Sequence, residues 1–370
     1  MANKKQLRYA VVGLGHIAQT AVLPAFEGAQ RNSVVTALIS DDKAKLSELK
    51  ERHRVAHVFA QSEFDACLTS GEVDALYIAA PNHLHCEYTV RAAEAGIHVL
   101  CEKPMAITVE ECEKMLHAVE AAGTKLMIAY RLHFDAANLQ AIEIATSGTL
   151  GDVRIFHSVF AIDVEAGNVR LQRELGGGTL YDLGVYCINA ARYIFQDEPI
   201  QAVAFSANNG EPRFAETDEM TAAILRFPGD RLATFTTSFG LAPVDAYSIV
   251  GTKGELRVVP GYDYTSKLTH HLTVDGKTKK KAFRQRDQFA AELLYFSNCV
   301  LRNKPVEPNA REGLIDVQIV QALYQSAQSG KPVPLDLPQK QRRPTLDQEF
   351  SVPPSKEAEP MHADSPQVPA

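Results

Sequence analysis

Three stretches of this 370-residue chain carry residue types that could do chemistry. Tyr9-Ala10-Val11-Val12 runs straight into Gly13-Leu14-Gly15-His16-Ile17-Ala18, a G-x-G-x-x-A turn between an apolar run and a helical period. In such a turn Gly13 suits the tight bend, Gly15 lets backbone approach a pyrophosphate, and Ala18 lets helix and strand pack closely. The helix N-terminus then faces the phosphates. Glycines also end strands for structural reasons alone, but the order strand, glycines, helix within a βαβ unit favours the dinucleotide reading. Ala80-Pro81-Asn82-His83-Leu84-His85 and Cys101-Glu102-Lys103-Pro104 each follow an apolar run, on the side where parallel sheets bind ligands. Gly176-Gly177-Gly178 precedes Asp182 and Tyr186, four residues apart. If Asp182 opens a helix, both side chains project from one face.

The end of the second strand bears on the ribose. Ile39-Ser40-Asp41-Asp42-Lys43-Ala44-Lys45 offers a hydroxyl and two lysines, and Ser40 with Lys43 could hold a 2′-phosphate provided the neighbouring carboxylates turn away. Asp41 and Asp42 could instead meet a free ribose hydroxyl, with Lys43 and Lys45 facing solvent. The sequence favours NADP.

These residues need a sheet to position them. Leu7–Val12, Val34–Ile39, Ala75–Ala79, His98–Cys101 and Lys125–Ala129 read as strands buried on both faces. Ile17–Phe26, Lys43–Arg52, His83–Ala95 and Val109–Ala122 read as helices, with Gly96 and Gly123 as C-caps. That alternation predicts a doubly wound parallel sheet over residues 1–130. Residues 131–335 change texture: a helix at Ala136–Ser147, then Val153–Val164, Ile200–Ala207, Met220–Phe227, Leu232–Phe239, Tyr247–Val250 and Glu255–Val259 as strands. Phe227-Pro228-Gly229-Asp230 reads as a hairpin turn. With helices at Val185–Phe195, Arg286–Leu301 and Arg311–Ser329, this predicts an α+β domain on an open, mostly antiparallel sheet. Nine of the 19 prolines follow Gly330, so residues 336–370 read as an extended or disordered tail.

Composition narrows the partners. A net charge of −7 gives no overall positive field for nucleic acid or anionic lipid. No apolar run is long enough to cross a bilayer, and the N-terminal residues enter a strand pattern without a signal-like segment, which predicts a cytoplasmic protein. Cys67, Cys86, Cys101, Cys112, Cys187 and Cys299 lack CxxC spacing and suit reduced core thiols better than bridges or a metal site.

With the PN-x-x-H segment at Pro81–His85, the EKP segment at Glu102–Pro104 and the run Gly176-Gly177-Gly178-x-Leu180-x-Asp182-x-Gly184-x-Tyr186, the chain resembles the glucose–fructose oxidoreductase, inositol dehydrogenase and MocA-type family over about residues 7–335. Tyr130-Arg131-x-His133 and Arg173-Glu174-Leu175 resemble its sugar-to-sugar branch, the glucose–fructose and aldose–aldose oxidoreductases. That resemblance implies bound NADP, oxidation of an aldopyranose at C1 to the aldonolactone, and reduction of a second sugar to the alditol. It also implies a dimer or tetramer through the second sheet. By the same resemblance Arg170 contacts cofactor, Tyr262 lies near the adenine, and other branches keep a histidine where Tyr186 stands.

Removing hydride from a carbinol needs a base, a cation to steady the alkoxide, and the carbon held near the nicotinamide. Lys103 can supply the cation, which also lowers a neighbouring phenol's pKa, and Tyr186 the acid/base. Asp182 could hold sugar hydroxyls or Lys103. Arg131 at a strand end meets cofactor or substrate; His133 adds a substrate contact or simply packs. Ala80, Asn82, His85 and Glu102 complete the expected cofactor contacts. Each residue also has a structural reading: Lys103 as strand-end surface, Tyr186 as a packing tyrosine, Asp182 as an N-cap, Arg170 as a surface charge.

Three departures stand out. Position 169 is Val where the relatives place a tryptophan by the nicotinamide, and the chain has no Trp. Only six residues precede the first strand, where the relatives carry an export signal and an arm over a neighbour's adenine. The Pro-rich tail has no counterpart, and is expected to wrap over a partner subunit. The competing functions are an ordinary sugar or polyol dehydrogenase with exchangeable cofactor, a glycosidase acting through transient C3 oxidation, and a non-catalytic nucleotide sensor.

Overall fold

A computed structural model describes residues 6–340, 342–356, 358–363 and 365–366. The chain falls into two compact units. Of the described residues, those within 1–131, 286–314 and 350–365 make up the first, and those within 132–285, 315–349 and 366–370 the second.

The first unit is built on six parallel strands: β1 (Leu7–Val12), β2 (Ser33–Ile39), β3 (His57–Phe59), β4 (Ala75–Ile78), β5 (His98–Cys101) and β6 (Leu126–Ile128). Their order, β3-β2-β1-β4-β5-β6, is that of a doubly wound sheet. The order reverses beside β1, which places the glycine turn at the switch point. Between strands run α1 (Leu23–Ala29), α2 (Lys43–His53), α3 (Phe64–Thr69), α4 (His85–Glu94) and α5 (Val109–Ala122). Residues Ala18–Val22 form a π-turn leading into α1. The ends are sequence-encoded: Thr108 and Glu111 make a reciprocal capping box at the start of α5, and Gly123 closes it at φ +66°.

The second unit begins with α6 (Ala136–Thr146), β7 (Val153–Asp163) and α7 (Val185–Phe195). There follow β8 (Gln201–Ala207), β9 (Met220–Phe227), β10 (Arg231–Ser238), β11 (Gly240–Gly251), β12 (Gly254–Val258), β13 (Thr269–Val274) and β14 (Lys277–Ala282). Helices α8 (Gln288–Leu301) and α9 (Ala310–Ser329) precede a two-residue β15 (Val333–Pro334). The nine-stranded order is β14-β13-β12-β11-β7-β10-β9-β8-β15. Only β7 and β10 pair in parallel; the other neighbours are antiparallel, as the patterning predicts. Residues of α6, α7 and α9 bury one face of this sheet, while Ile155, Phe205, Ile224 and Leu232 stay exposed.

The units divide the chain differently from the expected boundaries. Helix α8 closes a face of the first sheet: Tyr9 Oη and Ser33 Oγ each lie 2.7 Å from Ser297 Oγ, and Asn32 Nδ2 donates to the Leu294 carbonyl at 2.9 Å. The tail is extended, but its described part lies on its own chain. Arg343 pairs with Glu198 at 2.8 Å in the second unit, and residues 350–365 belong to the first. These contacts hold the described part of the tail against both units of its own chain.

Candidate active site

The glycine turn in the first unit is set by close approach. Gly13 sits at φ +85°, and a Cβ there would stand 2.4 Å from the Ala80 nitrogen and 2.5 Å from the Ala79 carbonyl oxygen. No side chain fits. At Gly15 no described heavy atom lies within 4 Å of where a Cβ would be. Leu14 and Ala18 are buried, anchoring the turn, whereas Ile17 and His16 are half-buried; Thr20 Oγ1 donates to the His16 carbonyl at 2.9 Å. Open space over Gly15, bounded by a helix start, fits a dinucleotide pyrophosphate.

At the end of β2 both carboxylates are turned onto neighbours. Asp41 Oδ1 accepts from the Gln61 nitrogen at 2.8 Å. Asp42 caps α2, its Oδ1 accepting from the Lys45 nitrogen at 2.9 Å while Oδ2 accepts from His362 Nδ1 at 2.8 Å. The Lys45 N–H and then His362 hold its pKa below the usual carboxylate range. Ser40 Oγ accepts from the Asp42 nitrogen at 3.2 Å, Lys43 is exposed and Lys45 half-exposed. The condition that a 2′-phosphate sets, carboxylates turned away beside two lysines, is met by these residues.

The strand ends of β4 and β5 are joined by His85. It is fully buried, with Nε2 2.9 Å from the Ala80 carbonyl and Nδ1 2.8 Å from the Pro104 carbonyl. Both ring nitrogens face backbone carbonyls, and the neutral imidazole donates to one of the two. The cofactor contact expected of His85 is replaced by a clamp between the PN-x-x-H and EKP segments. Burial pushes its pKa down, outweighing the pull of the two carbonyls. Asn82 is half-buried and opens the short 3₁₀ turn before α4.

Tyr77 Oη donates to Glu102 Oε1 at 2.8 Å. Burial pushes the Glu102 carboxyl above the usual carboxylate range, against the pull of Lys103, Tyr77 and Arg131. Lys103 is half-buried. Arg131 is buried and donates to Gln288 Oε1 at the start of α8. Gln288 was missed in the sequence, as was Glu292 one turn on. The Glu292 carboxyl is buried, makes no hydrogen bond and is pushed well above its usual pKa by that burial. A helix far along the chain that reads as ordinary amphipathic core gives no signal for either.

In the second unit the glycines bring Arg170 to Asp182. A Cβ on Gly177 would stand 2.4 Å from the Arg170 carbonyl oxygen and 2.7 Å from that of Gln172, so only glycine lets the strands of this loop touch. Gly178 donates to the Arg170 carbonyl at 3.0 Å, and Arg170 Nε donates to Asp182 Oδ2 at 2.7 Å. Asp182 lies within a π-turn, Leu180–Gly184, that leads into α7. Tyr186 follows on the first turn of α7, half-buried, its ring edge-on to Phe160 at 5.5 Å and tilted to Tyr262 at 5.8 Å.

Tyr262 itself corrects an expectation. It is fully buried in the core of the second unit, its hydroxyl 2.6 Å from Ser158 Oγ and its ring stacked on Phe160 at 5.1 Å. Burial raises its pKa well above the ordinary value. An enclosed side chain with its hydroxyl spoken for supports the Tyr186 ring and reaches no adenine. His133 is also buried, with Nε2 3.1 Å from Asn189 Oδ1 and its ring edge-on to Tyr193 at 4.5 Å. Asn189 Nδ2 in turn donates to Asp316 Oδ2 at 2.8 Å, and Arg192 joins Asp316 at 2.6 Å. This buried network fixes α7 and was not legible from spacing.

Among the described residues no cluster of His, Cys, Asp or Glu could hold a metal, and no helix is long and apolar enough to cross a membrane. All six cysteines are free, five of them buried.

Residues 7–130 match the family model of an oxidoreductase family with an NAD-binding Rossmann fold, and residues 138–257 match the Gfo/Idh/MocA C-terminal domain. The chain is 30% identical over 344 residues to the D-xylose 1-dehydrogenase [NADP(+)] of Haloarcula marismortui, covering 90% of this chain and 95% of that one. It superposes on the aldose-aldose oxidoreductase of Caulobacter crescentus, complexed with glycerol, with a TM-score of 0.85 at 34% identity, over 90% of this chain and 100% of that one. A 3-ketoreductase from Actinomadura kijaniata, solved with NADP and TDP-benzene, matches at 26% identity and a TM-score of 0.78, over 87% of this chain and 98% of that one. The glycine turn, the EKP lysine and the open sheet thus have a common origin: the chain belongs to the Gfo/Idh/MocA oxidoreductase family.

Proposed function

We propose that this protein is an NADP-dependent aldose oxidoreductase. It oxidises an aldopyranose at C1 to the aldonolactone and passes the hydride to a second sugar, giving an alditol, with the cofactor held through both halves of the cycle. NADP, when bound, accepts the hydride in the first half and returns it in the second. Gly13, Gly15 and the helix start hold its pyrophosphate, and Ser40, Lys43 and Lys45 its 2′-phosphate.

Lys103 supplies the cation that steadies the alkoxide as the C1 hydroxyl loses its proton. Tyr186 takes that proton in the first half-reaction and gives it to the acceptor's carbonyl oxygen in the second. Asp182, held by Arg170, orients hydroxyls of the sugar. Arg131 completes the proposed ligand contacts of the first unit, while His133 packs against Asn189 and Tyr193 in the second.

What carries the choice of branch is Tyr186, a phenol supported by Phe160 and Tyr262 at the start of α7. A reversible proton carrier suits two opposed half-reactions. The likeness to the aldose-aldose oxidoreductase supports it. The exposed apolar face of the second sheet supports assembly as a homo-oligomer, and the free cysteines support a reducing, cytoplasmic setting.

The test is the spectrum of purified, dialysed protein on adding an aldose without cofactor. Reduced-nicotinamide absorbance that rises with aldose and decays with a second sugar supports the proposal. Turnover only with added NADP selects an ordinary dehydrogenase with exchangeable cofactor.

A further inference from the structure

The proposed mechanism leaves the C-terminal segment of the chain without a role, yet its described residues between Phe350 and Ser365 belong to the dinucleotide unit. Val352 is buried against Gly28, where a Cβ would stand 2.7 Å from Val352 Cγ1. The Asp287 nitrogen donates to the Val352 carbonyl at 3.0 Å, and Arg52 Nη1 donates to the Glu359 carbonyl at 2.9 Å. Two consecutive residues then reach the two loops that flank the pyrophosphate and the ribose in such folds. The Met361 nitrogen donates to Gln19 Oε1 at 2.8 Å, and Gln19 Nε2 donates to the carbonyls of Met361 and Leu14, each at 2.9 Å. Gln19 is fully buried, one residue past Ala18 of the glycine turn.

His362 follows at φ +47°, a left-handed conformation that non-glycine residues seldom adopt, and donates from Nδ1 to Asp42 Oδ2 at 2.8 Å. An acceptor carboxylate at the end of β2 ordinarily selects a free ribose hydroxyl and repels a 2′-phosphate. Here one Asp42 oxygen caps α2 and the other is covered by an imidazole. That imidazole is 58% exposed.

We propose that the C-terminal segment forms part of the adenosine-ribose subsite, with His362 a specificity residue that favours a 2′-phosphate by masking Asp42. The inference rests on the NADP reading above.

The test compares the dissociation constants of NADPH and NADH, read from nicotinamide fluorescence on full-length, nucleotide-stripped protein. Wild type should bind NADPH more tightly. His362→Ala should weaken NADPH roughly 3- to 10-fold, and leave NADH within about twofold. In an Asp42→Asn background, where the carboxylate is already gone but the helix cap is kept, the same change should cost less. A wild-type preference for NADPH that His362→Ala leaves intact overturns this inference and spares the NADP reading. Wild type that binds NADH as tightly as NADPH overturns both.

Discussion

Arg170 Nε donates to Asp182 Oδ2 at 2.7 Å, so the carboxylate four residues before Tyr186 is held by a cation of its own unit. The glycines at 177 and 178 allow this pairing, because side chains there would strike the Arg170 carbonyl or Tyr324. The pairing holds Asp182 Oδ2 in a fixed direction.

The pair is testable by a double-mutant cycle. Arg170→Met and Asp182→Asn should each lower kcat/KM, and together by less than the sum, with a coupling of about 1 kcal/mol. Additive losses in sugar-saturation kinetics would show that the two residues act independently.

Lys103→Ala should leave nucleotide binding nearly unchanged while kcat falls about a hundred- to ten-thousand-fold. The check is NADPH fluorescence titration beside steady-state turnover. Substantial activity in the variant would remove Lys103 from its assigned role.

His270 sets a pH dependence of stability. It is buried, its Nε2 donating to the Ala137 carbonyl at 3.0 Å while Nδ1 has no partner, and burial lowers its pKa from 6.5 to about 4. The unfolded chain binds the proton first, so this contribution is complete above pH 6.5 and lost as pH falls towards 4. The slope is about 1.4 kcal/mol per pH unit within that window. Denaturant unfolding of His270→Gln across the same range should show a shallower decline than wild type.

Phe205 is 70% exposed on β8, on the open face that also shows Ile155, Ile224 and Leu232. Phe205→Arg should shift the molecular mass in solution towards the monomer, read by light scattering, with the thermal midpoint of the monomer little changed. An unchanged mass, or a wild type that is already monomeric, would remove this face as the proposed oligomer contact.

Local signals in the sequence carried much of the fold. Helix α7 is expected at Val185–Phe195 and found there, because its apolar spacing is strong, and α5 is found at the expected Val109–Ala122 with Gly123 as its cap. Strands β13 and β14 were missed. The latter, Lys277–Ala282, is exposed at every position, so an edge strand leaves no alternation to read. The three-residue β3 is too short to show a period. The return of Arg286–Leu314 to the first sheet is a long-range choice that no window of sequence contains. The glycine turn and the EKP segment were legible because their chemistry is local. The Arg170–Asp182 pair, the clamp made by His85 and the burial of Tyr262 were not, since each depends on which distant backbone lies opposite. His362 was hidden in a Pro-rich stretch whose composition suggests no structure.

The most direct measurement follows an aldose deuterated at C1 through one full cycle with an unlabelled second sugar. The label should arrive on the former carbonyl carbon of the alditol, with the aldonolactone formed in equal amount and no exchange with water. An alditol free of deuterium, or no lactone at all from the aldoses tested with NADP present, would contradict hydride transfer between sugars at this site.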